Sequence, residues 1–343
     1  MPNATISGTG SFVPDQVVTN DDLVSIYGIE TTDEWIQKRT GIKERRFAPA
    51  GMENSDMGLQ ASLGALEMAG LQATDLDMLI YATLSPKHSF PGDGVYLQKK
   101  LGLCDGPNAT FAPAMDIRNQ CSGFLYALGT ATAMVQSGAC KHVLVVGSEL
   151  HSAALELSTS GRSVSTLFGD GAGAVIVSAT EEDKGIRHWH LGSDGRGADV
   201  LRQRVWDTSR RPFIRLDKDG NGIIPREELY ANMDGRQVFK NAVQRMCFAV
   251  LRVCQEQGIQ GEEIDLWFFH QANMRINQYV AKQLGIPEEK LLHNIDRYGN
   301  TTAATIPLLM DEAVRTGRLK PGMKIACVAF GSGFTWGATL IDW

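Results

Sequence analysis

The sequence has no surplus of basic residues: 33 lysines and arginines stand against 39 aspartates and glutamates in 343 residues, a net charge of −6. Nucleic-acid binding therefore has no global electrostatic support. Cysteine is scarce, six in all, dispersed as Cys104, Cys121, Cys140, Cys247, Cys254 and Cys327 without a CxxC pair. That argues against a disulfide framework and against zinc, so no metal site is expected from them. No apolar run approaches the ~18 residues that cross a bilayer. The N-terminal MPNATISGTGSFVPDQ lacks the basic and apolar regions of a signal peptide. The expectation is a cytoplasmic protein with no membrane span. Charged residues make up 21% and hydrophobic ones 43%, a globular balance.

What the chain does have is repetition. Gly70–Leu79 (GLQATDLDML) and Gly258–Trp267 (GIQGEEIDLW) match at an offset of 188 residues, and Val143–Ser148 and Cys327–Ser332 at 184. The first pair reads as a helix ending at Gly before an apolar strand, the second as a buried strand ending in Gly-Ser. Two matches in the same order at nearly one offset predict a duplicated α/β unit. The halves are placed at 1–175 and 176–343.

Three residues stand out within this frame. Cys121, after the extended MDI, begins a helical pattern. A thiol there meets unpaired N–H groups and the positive end of the helix dipole, which favours a nucleophilic thiolate; the alternative is a core cysteine. His270 follows the apolar strand LWFF at a strand-to-helix turn, where α/β proteins place chemistry; a structural histidine is the alternative. Asn300, in GNTT before an Ala-rich helix, reads first as an N-cap. Its offset from Cys121 is 179 residues, close to the repeat, so the two begin corresponding helices. A pseudo-twofold would bring both helix starts to one site.

Two strings are set aside. GDGAGA at Gly169–Ala174 resembles a dinucleotide fingerprint, but a β-type run follows it in place of the required helix. Asp217–Glu228 matches a calcium loop, with Asp217, Asp219, Asn221 and Glu228 at ligand positions and Gly222 at the turn. Pro212 interrupts any incoming helix and no second loop partners it. A solvated glycine-rich loop is preferred over calcium binding.

Taken together, the motifs resemble the β-ketoacyl-ACP synthase III family of the thiolase superfamily. They are Thr32–Trp35 with Arg39–Ile42, Cys121–Phe124, Phe168–Ala174, His270–Asn273, Gly299–Thr301 and Phe330–Gly337. The resemblance implies a five-layered αβαβα fold and a homodimer. It implies an acyltransferase in which Cys121 takes an acyl group from acyl-CoA, with the Cys121 and Ser332 amides as oxyanion hole. His270 and Asn300 then support decarboxylation of malonyl-ACP and condensation, which initiates fatty-acid synthesis. No cofactor is required beyond the CoA and ACP thioesters.

By motif position the resemblance assigns Trp35, Arg39, Thr40 and Asn273 to the CoA or pantetheine tunnel. It places Phe90 at the acyl pocket, and Lys240 and Arg275 at a docking patch for the acidic carrier protein. The sequence departs from the family at Arg118-Asn119-Gln120 before the nucleophile, at Ser332, and in a long segment from about 199 to 231. Ala153 is read as replacing an arginine that binds CoA. The rival reading is a relative that condenses or transfers acyl groups for a secondary metabolite of the resorcinol, quinolone or polyketide type. A cysteine hydrolase shares the order Cys, His, Asn, but its nucleophile context and fold pattern are absent.

Overall fold

The protein is described by a computed structural model that covers residues 2–205, 209 and 214–343. Its first sheet contains β1 (Asn3–Phe12), β2 (Met78–Ala82), β3 (Ala114–Ile117), β4 (His142–Glu149) and β5 (Gly171–Thr180), in the order β1-β5-β4-β2-β3. The second contains β6 (Gly185–Ser193), β7 (Leu266–Phe269), β8 (Lys324–Gly331) and β9 (Thr335–Asp342), in the order β7-β8-β9-β6.

The pairing senses recur. In the first sheet β1–β5 and β5–β4 are antiparallel and β4–β2 is parallel. In the second, β6–β9 and β9–β8 are antiparallel and β8–β7 is parallel. Residues 175 and 176, the boundary expected between the halves, are consecutive within β5. GDGAGA runs into this same strand.

Strands buried on both faces read as continuous apolar runs; all of Met78–Ala82 is buried. The helices that cover them are α1 (Asp33–Thr40), α2 (Asn54–Ala69), α3 (Gly123–Gln136), α4 (Gly235–Gln257), α5 (Met274–Leu284) and α6 (Thr305–Arg315). α3 and α6 lie between the sheets, where Phe124, Leu128, Ile306 and Leu309 share one core with Val145, Val177, Phe268 and Cys327. Such a central helix must be apolar on more than one side, and the α3 sequence GFLYALGTATAMVQ is.

α2 packs Met57, Ala61 and Ala65 on the outer face of the first sheet against Leu79, Leu144 and Ile176. α4 and α5 cover the second sheet through Met246, Val250 and Val280 against Trp267, Val328 and Leu340. The layers run α-β-α-β-α.

The long segment before α4 forms small ribbons. Leu201–Arg202 pairs with Asn232–Met233, and Arg215–Leu216 with Gly222–Ile223. In the calcium-like loop Asp217 accepts from the amides of Asp219 and Asn221 at 2.9 and 2.8 Å, folding on its own backbone as an Asx turn does. Pro212 lies outside the described residues. Among the described residues no group of three or more His, Cys, Asp or Glu is disposed to hold a metal, and no helix is long and apolar enough to cross a membrane.

Candidate active site

Cys121, His270 and Asn300 line one cavity of about 690 Å³. Cys121 and His270 come from turns after strands, and Asn300 from the turn after the short helix Ile295–Tyr298. Cys121 sits in a short helical turn (Gln120–Ser122) that leads into α3. His270 follows β7, and Asn300 precedes the turn Thr302–Ala304 that leads into α6. Two of these turns contain a non-glycine residue in the left-handed region, Gln120 at φ 47° and Thr302 at φ 50°. Such conformations cost of order 1–2 kcal/mol each and persist only where surrounding contacts hold them.

The contacts that hold the Cys121 turn are visible. Ser122 Oγ donates to Thr335 Oγ1 at 2.7 Å, which in turn donates to the Ser332 carbonyl at 3.2 Å. The nucleophile turn and the Ser332 loop are thus tied together. Gly331 makes the approach possible, because a Cβ there would sit 3.1 Å from both Cβ and N of Cys121. The backbone amides of Cys121 and Ser332 both pull the Cys121 thiol downward.

The thiol is not the thiolate that the helix start favours. Cys121 is partly exposed to the cavity, but the enclosure removes the water that would solvate an anion. Burial first, then the nearby Glu149 carboxylate, push the thiol up to about 12 against the pull of the two amides. Desolvation outweighs the helix terminus here. The resting nucleophile is a neutral thiol.

His270 is neutral as well. It is 2% exposed, and burial pushes it down to about 3. Its Nδ1 lies 2.7 Å from Thr305 Oγ1, and that hydroxyl lies 2.9 Å from the Thr302 carbonyl. When Thr305 donates to Thr302, Nδ1 carries the proton and Nε2 is a lone-pair acceptor. When the hydroxyl turns toward Nδ1, Nε2 becomes a donor. Among the described residues Nε2 has no protein partner, and His270 faces the cavity.

Asn300 is oriented by its backbone. Its Oδ1 accepts from the Thr302 amide at 2.8 Å, which leaves the Nδ2 hydrogens for the cavity. Its own amide donates to the Leu167 carbonyl at 2.8 Å and its carbonyl accepts from the Gly169 amide at 3.2 Å. Leu167 and Gly169, the latter the first residue of the GDGAGA motif, therefore brace Asn300. His151 braces the same turn, with Nε2 2.6 Å from Thr302 Oγ1.

At the mouth, Trp35, Arg39, Thr40, Asn273 and Arg275 all line the cavity. α1 presents the first three, starting at Thr32, whose hydroxyl accepts from the Trp35 amide at 3.1 Å. The Thr40 hydroxyl donates to the Ile36 carbonyl at 2.7 Å, and Asn273 caps α5 while donating to the Arg39 carbonyl at 3.0 Å. Both are thus structural as well as lining.

Trp35 lies between two cations, Arg39 at 4.6 Å and Arg162 at 5.4 Å from its ring centroid. Arg162 was not singled out from the sequence, and Ala153 is exposed and outside the cavity. Ala153 thus takes no part in the lining, and the arginine beside Trp35 from that part of the chain is Arg162. Arg236, at the start of α4, is a further unforeseen lining cation.

Lys240 is exposed on the next turn of α4, outside the lining. Phe90 is 84% exposed and also outside it. The loop that carries it runs outward from β2, so the acyl-pocket place expected for Phe90 is not met within one chain.

Residues 115–195 match the family described as 3-oxoacyl-[acyl-carrier-protein] synthase III, and residues 254–343 match its C-terminal region. A β-ketoacyl-[acyl-carrier-protein] synthase III of Oceanobacillus iheyensis is 41% identical over 341 residues, 99% of each chain. The crystal structure of 3-oxoacyl-[acyl-carrier-protein] synthase III from Aquifex aeolicus superposes with a TM-score of 0.86 at 39% identity, over 99% of this chain and all of that one. The priming β-ketosynthase of the R1128 polyketide pathway superposes at 0.87 with 30% identity, over 99% of this chain and 96% of the other.

Proposed function

The chain belongs to the 3-oxoacyl-[acyl-carrier-protein] synthase III family, and from that premise we propose that it condenses an acyl-CoA primer with malonyl-ACP to give a 3-oxoacyl-ACP, the step that initiates fatty-acid synthesis. The observation that carries this reading is the single cavity in which a thiol, an unpartnered imidazole nitrogen and an oriented amide meet.

The first half-reaction begins from neutral groups. His270 Nε2 takes the Cys121 proton as sulfur attacks the thioester carbonyl. The developing oxyanion is met by the Cys121 and Ser332 amides. The bond to the CoA sulfur then breaks, and that sulfur leaves with the proton held by His270. A neutral pair in a dry site avoids a standing charge, and proton transfer by a placed imidazole contributes roughly 10²–10⁴-fold.

In the second half-reaction malonyl-ACP loses carbon dioxide. Its electrons pass to the thioester carbonyl, whose oxygen accepts from Asn300 Nδ2–H and from Nε2–H of the other His270 tautomer. The enolate carbon attacks the acyl carbon on Cys121, the carbon–sulfur bond breaks, and the leaving thiolate takes up a proton from solvent to restore the thiol. Asn300 cannot titrate, so its part is donation alone.

Trp35, with Arg39 and Arg162 on it, suits the aromatic and phosphate parts of CoA. Arg275 and Lys240 suit the acidic carrier protein, whose docking then depends on local rather than net charge. We assign the two sheets to two copies of one α/β unit, supported by their shared order of pairing senses. A homodimer would cover the apolar face where Phe90, Val95 and Met115 are exposed. A cytoplasmic setting fits soluble thioester substrates.

The test is to incubate the protein with a panel of acyl-CoAs, look for the covalent adduct by intact mass spectrometry, and then add malonyl-ACP and identify the product. An adduct at Cys121 followed by 3-oxoacyl-ACP is expected. No adduct with any acyl-CoA would defeat the reading. An adduct that never condenses would favour acyl transfer in a secondary pathway.

A further inference from the structure

The turn that carries Asn300 depends on one residue. Thr302 has no exposure and bonds in three directions. Its amide donates to Asn300 Oδ1 at 2.8 Å, its carbonyl accepts from Thr305 Oγ1 at 2.9 Å, and its hydroxyl lies 2.6 Å from Nε2 of His151. The first bond leaves the Asn300 Nδ2 hydrogens for the cavity. The second reaches His270 only through the rotatable Thr305 hydroxyl, 2.7 Å from Nδ1. The backbone of Thr302 is left-handed, at φ 50°. A β-branched residue keeps such a conformation only where neighbours restrain it. Asn300 and Thr305 belong to the same stretch of chain. His151, 151 residues away in sequence, is the restraint from outside.

His151 is itself firmly placed. It lies two residues beyond β4, is 8% exposed and does not line the cavity. The next residue, Ser152, donates its amide at 2.9 Å and its hydroxyl at 2.5 Å to the unexposed Asp170 carboxylate, which also accepts from the Ala48 amide at 2.7 Å. The His151 ring packs against Phe168, with centroids 4.6 Å apart. Phe168 stands between Leu167 and Gly169, which hold the Asn300 backbone. One short segment, Leu167–Asp170, thus supports Asn300 through its main chain and His151 through Phe168 and Asp170. Burial pushes His151 down to about 3, so the ring is neutral at neutral pH and its replacement removes no charge there.

We propose that His151 is a positioning residue of the condensation, whose bond to the Thr302 hydroxyl fixes the left-handed turn that aims Asn300 into the cavity. The inference rests on the condensing reading. His151 touches neither substrate nor the reacting atoms, and the contact works whichever of the two groups donates.

The test uses the full protein and four variants: His151→Leu, Thr302→Val, the two combined, and Thr302→Ser. Carbon dioxide release from malonyl-ACP and acyl loading of Cys121 are measured on each preparation. Thr302→Val keeps the shape and the β-branch and removes only the hydroxyl. Each single variant should decarboxylate about 5–20-fold more slowly, the size of one buried hydrogen bond broken on one side. Loading should stay within about threefold of the parent, because His270 meets the turn through a hydroxyl that can turn. The combined variant should lie within about twofold of either single one, since both remove the same contact. Thr302→Ser keeps the hydroxyl and should stay within about threefold of the parent in both assays.

Single variants that decarboxylate like the parent would overturn the proposal. So would losses that multiply in the combined variant, or equal losses in decarboxylation and loading, which a general loosening of the fold would give. If His151→Leu does not fold, Thr302→Val against Thr302→Ser decides: equal decarboxylation by these two overturns the role of the hydroxyl. A parent that loads Cys121 and releases no carbon dioxide contradicts the condensing reading, and the proposal falls with it. Failure of the proposal alone is distinguishable, because the parent then decarboxylates and the single variants do so equally well.

Discussion

The floor and the mouth of the cavity are built on opposite principles. At the floor, Cys121 and His270 are stripped of charge by burial, pushed up to about 12 and down to about 3. His270 Nδ1 and Asn300 Oδ1 there are held by a hydroxyl and a backbone amide, while His270 Nε2 and Asn300 Nδ2 face the cavity. At the mouth, Arg39, Arg162, Arg236 and Arg275 are exposed and charged. The floor is dry and preorganised, so its donors act at full strength on charge that develops during reaction. The mouth is wet and screened, so its cations recruit substrate and are worth less each. Changes at the floor should therefore appear in chemistry, and changes at the mouth in apparent affinity.

The largest effect should come from Cys121→Ala. It should abolish the acyl adduct in intact mass spectra; an adduct that persists would move the nucleophile elsewhere. His270→Ala follows, because the same nitrogen serves both half-reactions. Acylation and decarboxylation should each fall about 10²–10³-fold. Loss in only one step would assign His270 a single role.

Neutral burial also has a signature in stability. His151, His270 and His293 are all pushed down by burial, to about 3, 3 and 4. Below about pH 6.5 the unfolded chain binds protons that the folded chain does not, so stability falls as pH falls and is recovered as pH rises to about 6.5. The slope is up to about 1.4 kcal/mol per pH unit for each histidine. Urea unfolding between pH 4.5 and 7 measures it, and His293→Asn should flatten it; an unchanged slope would contradict burial in the neutral form.

The smallest effect belongs to the mouth. Arg162→Ala should raise KM for acyl-CoA about 3–10-fold, a loss of the size expected for a partly exposed cation over tryptophan, with kcat within about twofold. A kcat loss instead would dissolve the contrast between the two regions.

How much of this was legible in the chain depended on whether the signal was local. Cys121, His270 and Asn300 each sit in a short motif before a helical stretch, and the repeat offset linked two of them. The alternation of apolar strands and helical stretches pointed to sheets covered by helices, while the five-layered order came from the family resemblance. Arg162 carried no such mark, because it acquires its meaning from a partner far away in sequence, Trp35.

The lowered thiol failed as an expectation for a related reason. A helix start is visible in sequence, but the desolvation that overrides it depends on everything packed around it. Phe90 was assigned by position alone, and its loop turns outward. The calcium-like string is a pattern legible at every ligand position, and its Asp217 accepts from the Asp219 and Asn221 amides of its own loop.

The central claim is that one floor, supplied by turns far apart in the chain, divides the reaction between separate donors. Asn300→Ala tests this most directly, with carbon dioxide release from malonyl-ACP and acyl loading of Cys121 measured on the same preparation. Decarboxylation should fall about 10²–10³-fold while loading stays within about threefold of the parent. Equal loss in both steps would contradict the claim.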